Sequence, residues 1–211
     1  MTTRRATLLV AILFMSMAGM AQKIIDNPGK LCHLDLLFVI AQQPNAITEV
    51  TSGADNYEID HVGVLVKENS KMKVIEAVYE GVREIDYEQF VRSNKHILVG
   101  RIRKGLDKAQ TISRLRSLLG RPYDFVFMPG TEAVYCSELV SECFVNKTGQ
   151  RLLPPVTMSF HDAQGRITPY WTDFYSRRGK DVPEGLPGTN PGEMSKRANI
   201  KIKYQLRQFA K

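Results

Sequence analysis

The stretch YCSELV, residues 135–140, determines how the rest of the chain is interpreted. Its apolar residues recur at helical spacing, which predicts a helix that begins near Cys136, packs one face inward and runs to about Lys147. Unpaired backbone N–H groups and the helix dipole stabilise a thiolate at such an N-terminus. Cys136 is therefore a candidate nucleophile. The alternative is a small core residue, as we expect for Cys143.

The composition is that of one ordinary globular domain, with 211 residues of which 43% are hydrophobic and 24% charged. Residues 1–21 are different. Arg4 and Arg5 precede an apolar run that ends in small residues, which is typical of a secretory signal peptide cleaved near Ala21. We expect an exported protein, periplasmic or extracellular, with a single domain over residues 22–211. The alternative for the apolar run is a buried N-terminal helix.

The chain is basic, with a formal net charge of +7 that falls to +5 when Arg4 and Arg5 leave with the signal peptide. In an exported protein, a basic surface more often is solvated, or loosely attracts anionic envelope polymers and lipids, than binds nucleic acid. No nucleic-acid-binding motif accompanies the charge, so we expect no nucleic-acid partner. Basic residues are frequent near the C-terminus: Arg177, Arg178, Lys180, Lys196, Arg197, Lys201, Lys203, Arg207 and Lys211.

Three cysteines are an odd number for an oxidising compartment. Either one disulfide forms and one thiol stays free, or all three are reduced. A disulfide between Cys32 and Cys143 would leave Cys136 available for chemistry, but the sequence does not decide between these arrangements.

The remaining histidines do not indicate a metal site. His33, His96 and His161 have no ligand spacing to one another or to the cysteines, and surface or core positions explain them better. We predict no catalytic metal and no other cofactor.

Residues 34–102 alternate short apolar runs with turn residues, which predicts an antiparallel meander of strands. An amphipathic helix over residues 107–119 and the helix that begins at Cys136 should pack against this meander, so the predicted fold class is α+β. Proline and glycine recur later, which predicts an irregular tail over about residues 154–211. The predicted strands are 34–41, 61–66, 74–79, 82–86 and 97–102, with a polar loop over 42–56 that borders a site and a short helix or connector over 87–94.

Two polar residues, His61 and Glu76, interrupt otherwise apolar strands. If Val66 pairs with Lys71 across a four-residue loop, His61 lies directly opposite Glu76, within reach of an imidazole–carboxylate hydrogen bond. A slip of two residues makes them diagonal neighbours, and a slip of one places them on opposite faces. Taken singly, each is explained by a surface position. Taken together, a buried carboxylate needs a partner, and the histidine provides one.

A thiol at a helix N-terminus and a histidine oriented by an acid form the arrangement of a cysteine hydrolase. Cys136 would attack a carbonyl carbon, His61 would protonate the leaving amine, and Glu76 would hold the imidazole. The backbone N–H of Cys136 and neighbouring donors would stabilise the oxyanion. Water activated by His61 would then release the acyl-enzyme.

Five segments, in this order, resemble the YiiX-like permuted NlpC/P60 proteins, papain-like amidases in which the histidine precedes the cysteine. The segments are DLLFV (35–39), DHVGVLV (60–66), VIEAV (74–78), GRPYDFVF (120–127) and YCSELV (135–140). The resemblance covers roughly residues 31–160. It implies a circularly permuted papain-like fold with Cys136 as nucleophile, His61 as general base and Glu76 as the third, orienting residue.

The resemblance also implies two substrate-binding candidates. Tyr123 belongs to the family's Tyr-Asp pair, which places it near the cleft, where it would position substrate or help stabilise the oxyanion. Ser137 is a further candidate for the same role. The alternatives are a core tyrosine for Tyr123 and a helix-capping hydroxyl for Ser137.

Three functions are compatible with this pattern. The leading hypothesis is an exported cysteine amidase or peptidase whose substrate is a small peptide or acyl amide, such as a cell-wall peptide or an N-acyl amino acid. The second is a lipid acyltransferase or thioesterase that uses the same thioester intermediate, because related permuted folds include lipid-handling enzymes. The third is a binding module whose cysteine is merely packed.

Overall fold

The computed structural model describes residues 30–130 and 132–207, apart from the side chain of Arg207. The predicted signal peptide, residues 1–21, lies outside the described residues. The elements in chain order are β1 (Leu36–Ile40), α1 (Ala46–Val50), a 3-10 turn (Ala54–Asn56), β2 (Ile59–Glu68), β3 (Lys71–Val78), β4 (Gly81–Asp86), α2 (Tyr87–Ser93), β5 (His96–Ile102), α3 (Lys108–Ser117), α4 (Cys136–Cys143), β6 (Val156–Thr157), α5 (Pro169–Ser176), β7 (Pro187–Gly188), α6 (Pro191–Ser195) and β8 (Ile200–Arg207).

A six-stranded antiparallel sheet in the order β4-β3-β2-β1-β5-β8 forms the centre of the domain. Strands β1 to β4 form a meander as predicted, but the prediction that the fifth strand continues this meander is wrong, because β5 pairs with the other side of β1 and not with β4. The central strand β1 is apolar throughout because its side chains are buried in two hydrophobic cores, one on each face of the sheet. Leu36 and Phe38 join the cluster on one face, and Leu37 and Val39 join the cluster on the other. The α+β class predicted from the sequence is confirmed.

Helices cover both faces of this sheet. Helices α4 and α6 pack on one face with α3 against α4, while α2 lies on the side of β3 and β4. The first face holds the larger core, which includes Cys136, Leu139, Val140 and Cys143 of α4. Full burial of each large aliphatic side chain there contributes about 1.5–3 kcal/mol, so this packing fixes α4 on the sheet. Within the part of the chain that the structure describes, none of the helices is long and apolar enough to cross a membrane.

The β2–β3 hairpin differs from the predicted register by two residues. Val66 pairs with Lys73, and a two-residue turn replaces the expected four-residue loop. The turn residues Asn69 and Ser70 both have positive φ, 47° and 67°, which is the turn geometry that matches the twist of paired strands. His61 and Glu76 are therefore diagonal neighbours, not directly opposite residues.

Helix α4 ends at Cys143, although the sequence predicted a helix to about Lys147. The backbone becomes extended at Phe144, with φ −80° and ψ 100°. Its carbonyl accepts a hydrogen bond from the N–H of Leu152 at 2.8 Å, and the Val145 carbonyl accepts one from Asp107 at 2.9 Å. The helix stops because its next carbonyls bond to neighbouring segments.

The segment after residue 153 was predicted to be irregular, and this prediction is wrong for three stretches. It contains helices α5 and α6 and the strand β8, which pairs along the whole of β5. Pro169 and Pro191 do not interrupt regular structure but lie in the first turn of α5 and α6, where an N–H would have no helical partner. The short strands β6 and β7 also pair with each other, and the other described residues of the tail, up to residue 207, form the connections between these elements.

All three cysteines are free, so the structure has the fully reduced arrangement. Cys32 is exposed, whereas Cys136 and Cys143 are buried. Burial, with a smaller contribution from Glu142, raises the pKa of the Cys143 thiol to about 12. Cys143 therefore has the properties of a structural core thiol.

The β3–β4 hairpin, which carries Glu76, is attached to the segment after α3. The N–H of Val82 donates to the carbonyl of Arg121 at 2.9 Å, and the N–H of Gly120 donates to the carbonyl of Val82 at 2.8 Å. Gly81 permits this approach because a Cβ there would lie 2.6 Å from the Arg121 carbonyl oxygen. Its φ is 106°, which L side chains rarely adopt.

We predict that Gly81→Ala lowers the free energy of unfolding more than Gly120→Ala does. Both glycines have positive φ, so both variants lose about 1–2 kcal/mol through backbone strain. Gly81→Ala loses about 1–3 kcal/mol more through the clash with Arg121, whereas no heavy atom lies within 4 Å of a Cβ at Gly120. Urea unfolding of the two variants provides the measurement. Equal losses would show that the hairpin is not held at this point.

Candidate active site

The structure brings His61, Glu76 and Cys136 together from three elements. His61 lies on β2, Glu76 on β3, and Cys136 is the first residue of α4. Nε2 of His61 lies 2.8 Å from Oε2 of Glu76, and the side chain of Cys136 hydrogen-bonds to the same imidazole. Because Nε2 faces the carboxylate, Nδ1 is the nitrogen left for the sulfur. Sulfur, imidazole and carboxylate therefore form one continuous chain of contacts.

A second cation, Arg83, holds the carboxylate in place. Oε1 of Glu76 accepts hydrogen bonds from Nε of Arg83 at 3.0 Å and from Nη2 at 2.8 Å, while Oε2 faces His61. Glu76 is only 3% exposed, so its charge needs this compensation. Burial alone would raise the pKa of the Glu76 carboxyl, but His61 and Arg83 outweigh that effect and lower it.

Sequence reasoning missed Arg83, although a signal was present. The strands predicted over 74–79 and 82–86 are close enough in the chain to form a hairpin, and in the structure Val78 pairs with Gly81, which places Arg83 directly opposite Glu76. Cross-strand neighbours on one face are within reach of each other, so a pairing of opposite charges follows from the register.

The imidazole of His61 is held in its charged form. Burial lowers the pKa of His61, but its hydrogen bonds and charge interactions with Cys136 and Glu76 outweigh burial and raise the pKa to about 10. The imidazole is therefore protonated at neutral pH. It stands between the sulfur and the carboxylate as a positioned proton donor.

Cys136 lies at the start of α4 as predicted, with Tyr135 as the N-cap residue in extended conformation. The backbone N–H groups of the first helical turn have no partner within the helix. The N–H of Tyr135 itself donates to the carboxyl group of Glu138. Burial, with contributions from Glu142 and Asp124, raises the pKa of Glu138 to about 7. Cys136 is 4% exposed, and it opens on a cavity.

This cavity has a volume of about 340 Å³ and mostly apolar walls. One side comes from the predicted 42–56 loop, which contains α1, so the expectation that this loop borders a site agrees with the structure. Another side comes from the predicted irregular tail. The apolar and aromatic lining residues are Ile47, Val50, Tyr123, Phe127, Tyr135, Val156, Met158, Phe160 and Trp171, and the other lining residues include Cys136, Ser137, Thr189, Asn190 and Lys196.

Tyr123 lines the cavity together with Cys136. Its backbone is held by a bridge to Val134, whose N–H donates to the carbonyl of Pro122 at 3.0 Å. Burial, followed by the nearby charge of Cys136, raises the pKa of the Tyr123 phenol. The hydroxyl thus stays protonated and can donate a hydrogen bond beside the sulfur.

Ser137 also lies in the cavity wall, but its hydroxyl does not cap the helix. Its Oγ is 2.9 Å from Oγ1 of Thr189, and the N–H of Thr189 donates to the hydroxyl of Tyr135 at 2.9 Å. Ser137 therefore connects the start of α4 to the segment before α6. No sequence signal identified Thr189, because its place depends on how the tail folds back.

Phe127 shapes the cavity through a strained backbone. Its φ is 51°, which is uncommon for a bulky residue. The carboxylate of Asp124 holds this turn by accepting hydrogen bonds from the N–H groups of Val126 and Met128 at 2.8 and 3.0 Å. The Phe127 ring packs edge-on against Tyr135 and Trp171, so it joins the helix start to α5.

The other histidines lie away from this constellation. Nδ1 of His33 accepts a hydrogen bond from the N–H of Lys67. His161 lies beside Ser159 and Glu184, and His96 begins β5. Among residues 30–130 and 132–207, no group of three or more His, Cys, Asp or Glu side chains is arranged to hold a metal ion.

The fold and the order of the site residues define a class of protein. A family model described as "Permuted papain-like amidase enzyme, YaeF/YiiX, C92 family" matches residues 34–202, and the chain belongs to this family. The resemblance predicted from the sequence is confirmed, and the family supports a hydrolase of the amidase kind.

The chain is also similar to YiiX proteins of two Escherichia coli strains. The uncharacterized protein YiiX of Escherichia coli strain K12 is 28% identical over 162 residues, which cover 71% of this chain and 74% of that protein. A crystal structure described as metalloprotein yiiX from Escherichia coli O157:H7 matches with a TM-score of 0.65 and 24% identity, over 80% of this chain and 94% of that chain. At 24% sequence identity, this structural similarity establishes the fold alone.

We predict that Glu76→Gln lowers the pKa of His61 below about 10, because the carboxylate charge is lost while burial still disfavours the charged imidazole and only the interactions with Cys136 still raise the pKa. The pH titration of ¹⁵N-labelled imidazole signals by NMR measures this. In the unaltered protein, both ring nitrogens of His61 should still be protonated at pH 8. Glu84→Gln is the matched control, since Glu84 faces Lys73 and Arg116. An unchanged His61 pKa in Glu76→Gln would rule out the charge coupling.

Proposed function

We propose that the protein is an exported cysteine amidase that forms a thioester acyl-enzyme on Cys136. One observation carries this proposal: the sulfur contacts a charged imidazole on one side and opens on an apolar cavity on the other. The contact with the imidazole supports Cys136 as the nucleophile, and the apolar cavity provides a place for the acyl group of the substrate. Export rests on the signal-peptide pattern of residues 1–21.

The reaction proceeds in two halves. The thiolate of Cys136 attacks the amide carbonyl, and the N–H of Cys136 with the hydroxyl of Tyr123 donates to the oxyanion. The C–N bond breaks as His61 transfers a proton to the leaving amine. His61, now neutral, then removes a proton from water, and the resulting hydroxide attacks the thioester. The C–S bond breaks, which releases a carboxylic acid and restores the thiolate and the imidazolium.

Glu76 and Arg83 act on this cycle through His61. The carboxylate fixes the ring orientation and stabilises the imidazolium, as an acid does in other nucleophile–histidine arrangements. The guanidinium fork holds both the position and the charge of the carboxylate at 2.8–3.0 Å. Arg83 is thus a positioning residue in the proposed mechanism.

The cavity favours substrates with an apolar acyl group. Its walls carry many apolar or aromatic side chains, including Ile47, Phe160 and Trp171. Each methylene that enters such walls gains about 0.8 kcal/mol of transfer free energy. We favour an N-acyl amino acid over a polar cell-wall peptide as the substrate, because its acyl chain would bury apolar surface against these walls.

A second candidate function is acyl transfer or thioester hydrolysis through the same intermediate. The observation that favours it is the low exposure of Cys136, 4%, at the wall of an apolar cavity. An acyl-enzyme shielded in this way reacts with water only as fast as water can reach it, and a bound acceptor would compete. The third candidate, a binding module, does not account for a buried carboxylate that pairs with Arg83 and with the imidazole that contacts the sulfur.

We predict that Cys136→Ala lowers kcat/KM for an N-decanoyl amino acid by about 10³-fold or more, because the nucleophile is lost. His61→Ala should lower it by about 10²- to 10⁴-fold. Product release followed by liquid chromatography gives the rates, and intact mass spectrometry detects the decanoyl adduct. Cys32→Ala is the matched control, since Cys32 is an exposed thiol.

An adduct that persists in Cys136→Ala, or that disappears in Cys32→Ala, would contradict the assignment of the nucleophile. Hydroxylamine added as acceptor separates the two chemical functions. Hydroxamate formed in preference to decanoic acid at low acceptor concentration indicates acyl transfer, and decanoic acid alone indicates hydrolysis.

We predict that Ile47→Trp shortens the preferred acyl chain, because the larger side chain fills part of the cavity that Ile47 lines. In the unaltered protein, kcat/KM should rise about three- to fourfold per methylene until the cavity is filled. In the variant the rise should end at a shorter chain, while the acetyl substrate keeps its rate. Leu119→Trp, an exposed position outside the lining, serves as control. The same chain-length profile in both variants would show that the acyl group binds elsewhere.

A further inference from the structure

Two aromatic side chains are exposed next to the candidate site. Tyr79 is 79% exposed and Phe125 44%, and their ring centroids are 5.0 Å apart in an edge-to-face arrangement. Single exposed apolar residues are common on protein surfaces and need no explanation. Two large exposed rings in mutual contact form a patch, which is a feature of binding surfaces. We call Tyr79 and Phe125 the aromatic ledge.

The ledge is continuous with the cavity through one residue. The Phe125 ring lies 5.1 Å from the ring of Tyr123, and Tyr123 lines the cavity together with Cys136. Neither Tyr79 nor Phe125 lines that cavity. The ledge is thus outside the cavity, with Tyr123 between the two. A molecule whose carbonyl lies at the sulfur has one part available for the cavity and the other for the ledge.

The backbone under both rings is firmly held. Tyr79 lies in the turn that precedes Gly81. Val82, which directly follows Gly81, donates a backbone hydrogen bond to the carbonyl of Arg121. Phe125 directly follows Asp124, a buried residue whose carboxylate fixes the next turn. The backbone positions of both rings are therefore set without any ligand, which reduces the ordering cost of binding.

We propose that the aromatic ledge is the leaving-group subsite, and that it selects amines that carry an aromatic ring. This inference rests on the proposed function, in which the acyl group occupies the cavity. Aromatic rings prefer offset or edge-to-face partners at the spacing seen between Tyr79 and Phe125.

A sugar amine is less suited to the ledge because it would need polar partners as well. The nearest cation on the hairpin, Arg83, is committed to Glu76 at 2.8 Å and faces Glu80 at 3.7 Å. The two rings themselves present hydrocarbon and π surface, with the Tyr79 hydroxyl as their single polar group.

The test compares decanoyl substrates that differ only in the leaving group: the amides of 2-phenylethylamine, 2-cyclohexylethylamine and glucosamine, and the S-methyl thioester. Tyr79→Ala and Phe125→Ala should each lower kcat/KM for the phenylethyl amide about two- to tenfold. Neither should alter the thioester, whose methanethiol is too small to reach the ledge. Tyr79→Phe should keep the full rate because the ring is retained. Leu119→Ala, an exposed apolar residue outside the ledge, should leave every rate unchanged.

The outcomes separate the two proposals. Turnover with equal losses on the amide and the thioester, or with no loss on either, overturns the ledge and leaves the proposed function standing. A ring-dependent preference for the glucosamine amide overturns the aromatic selectivity. No turnover of any substrate by the unaltered protein, with no acyl adduct on Cys136, overturns the proposed function and the subsite with it.

Discussion

The candidate site depends on one buried carboxylate, Glu76. Its two oxygens divide between His61 and Arg83, at 2.8 Å from each. A charge removed from water is tolerated only when it is paired and hydrogen-bonded. Loss of either His61 or Arg83 would therefore leave the Glu76 carboxylate with only one of its two partners. The meander meets this demand locally, because β2, β3 and β4 are neighbours in both the sequence and the sheet. The three charged side chains therefore lie on adjacent strands of one continuous meander.

The sulfur of Cys136 is positioned by apolar packing and not by the strands that carry the charged residues. Cys136 comes from a helix far along the chain, and the core on one face of the sheet fixes that helix through Leu139 and Val140. The apolar packing therefore decides where the sulfur meets the imidazole, and the polar network decides how the imidazole is oriented. The walls of the cavity are a third part of the site, and they depend on contacts between helices. Trp171 donates a hydrogen bond to the Ala46 carbonyl at 3.1 Å, which joins α5 to α1 and closes one wall.

Particular residues show how far sequence reasoning extends. The pairing of His61 with Glu76 followed from two polar residues in apolar strands, and their side chains do meet. The register was wrong by two because a turn with two left-handed residues is shorter than the loop assumed, and this shift preserves the face of each side chain. Arg83 was accessible to the same reasoning but was missed. Strand β8 was also missed, although Ile200, Ile202, Tyr204 and Leu206 alternate with polar residues. The catalytic roles of Cys136, His61 and Glu76 remain predictions.

The amino-acid sequence alone determined the α+β class, the meander, the helix at Cys136 and the family, because these depend on local periodicity and on short motifs in a fixed order. Only the tertiary structure decided the length of α4, the way the tail before β8 folds back onto the domain, the apolar cavity and the exposed pair Tyr79 and Phe125. These features depend on contacts between segments far apart in the chain, such as Tyr175 with Val126 and Ser137 with Thr189. Such contacts leave no periodic trace in either segment. They form only when the packed sheet and helices bring the two surfaces together.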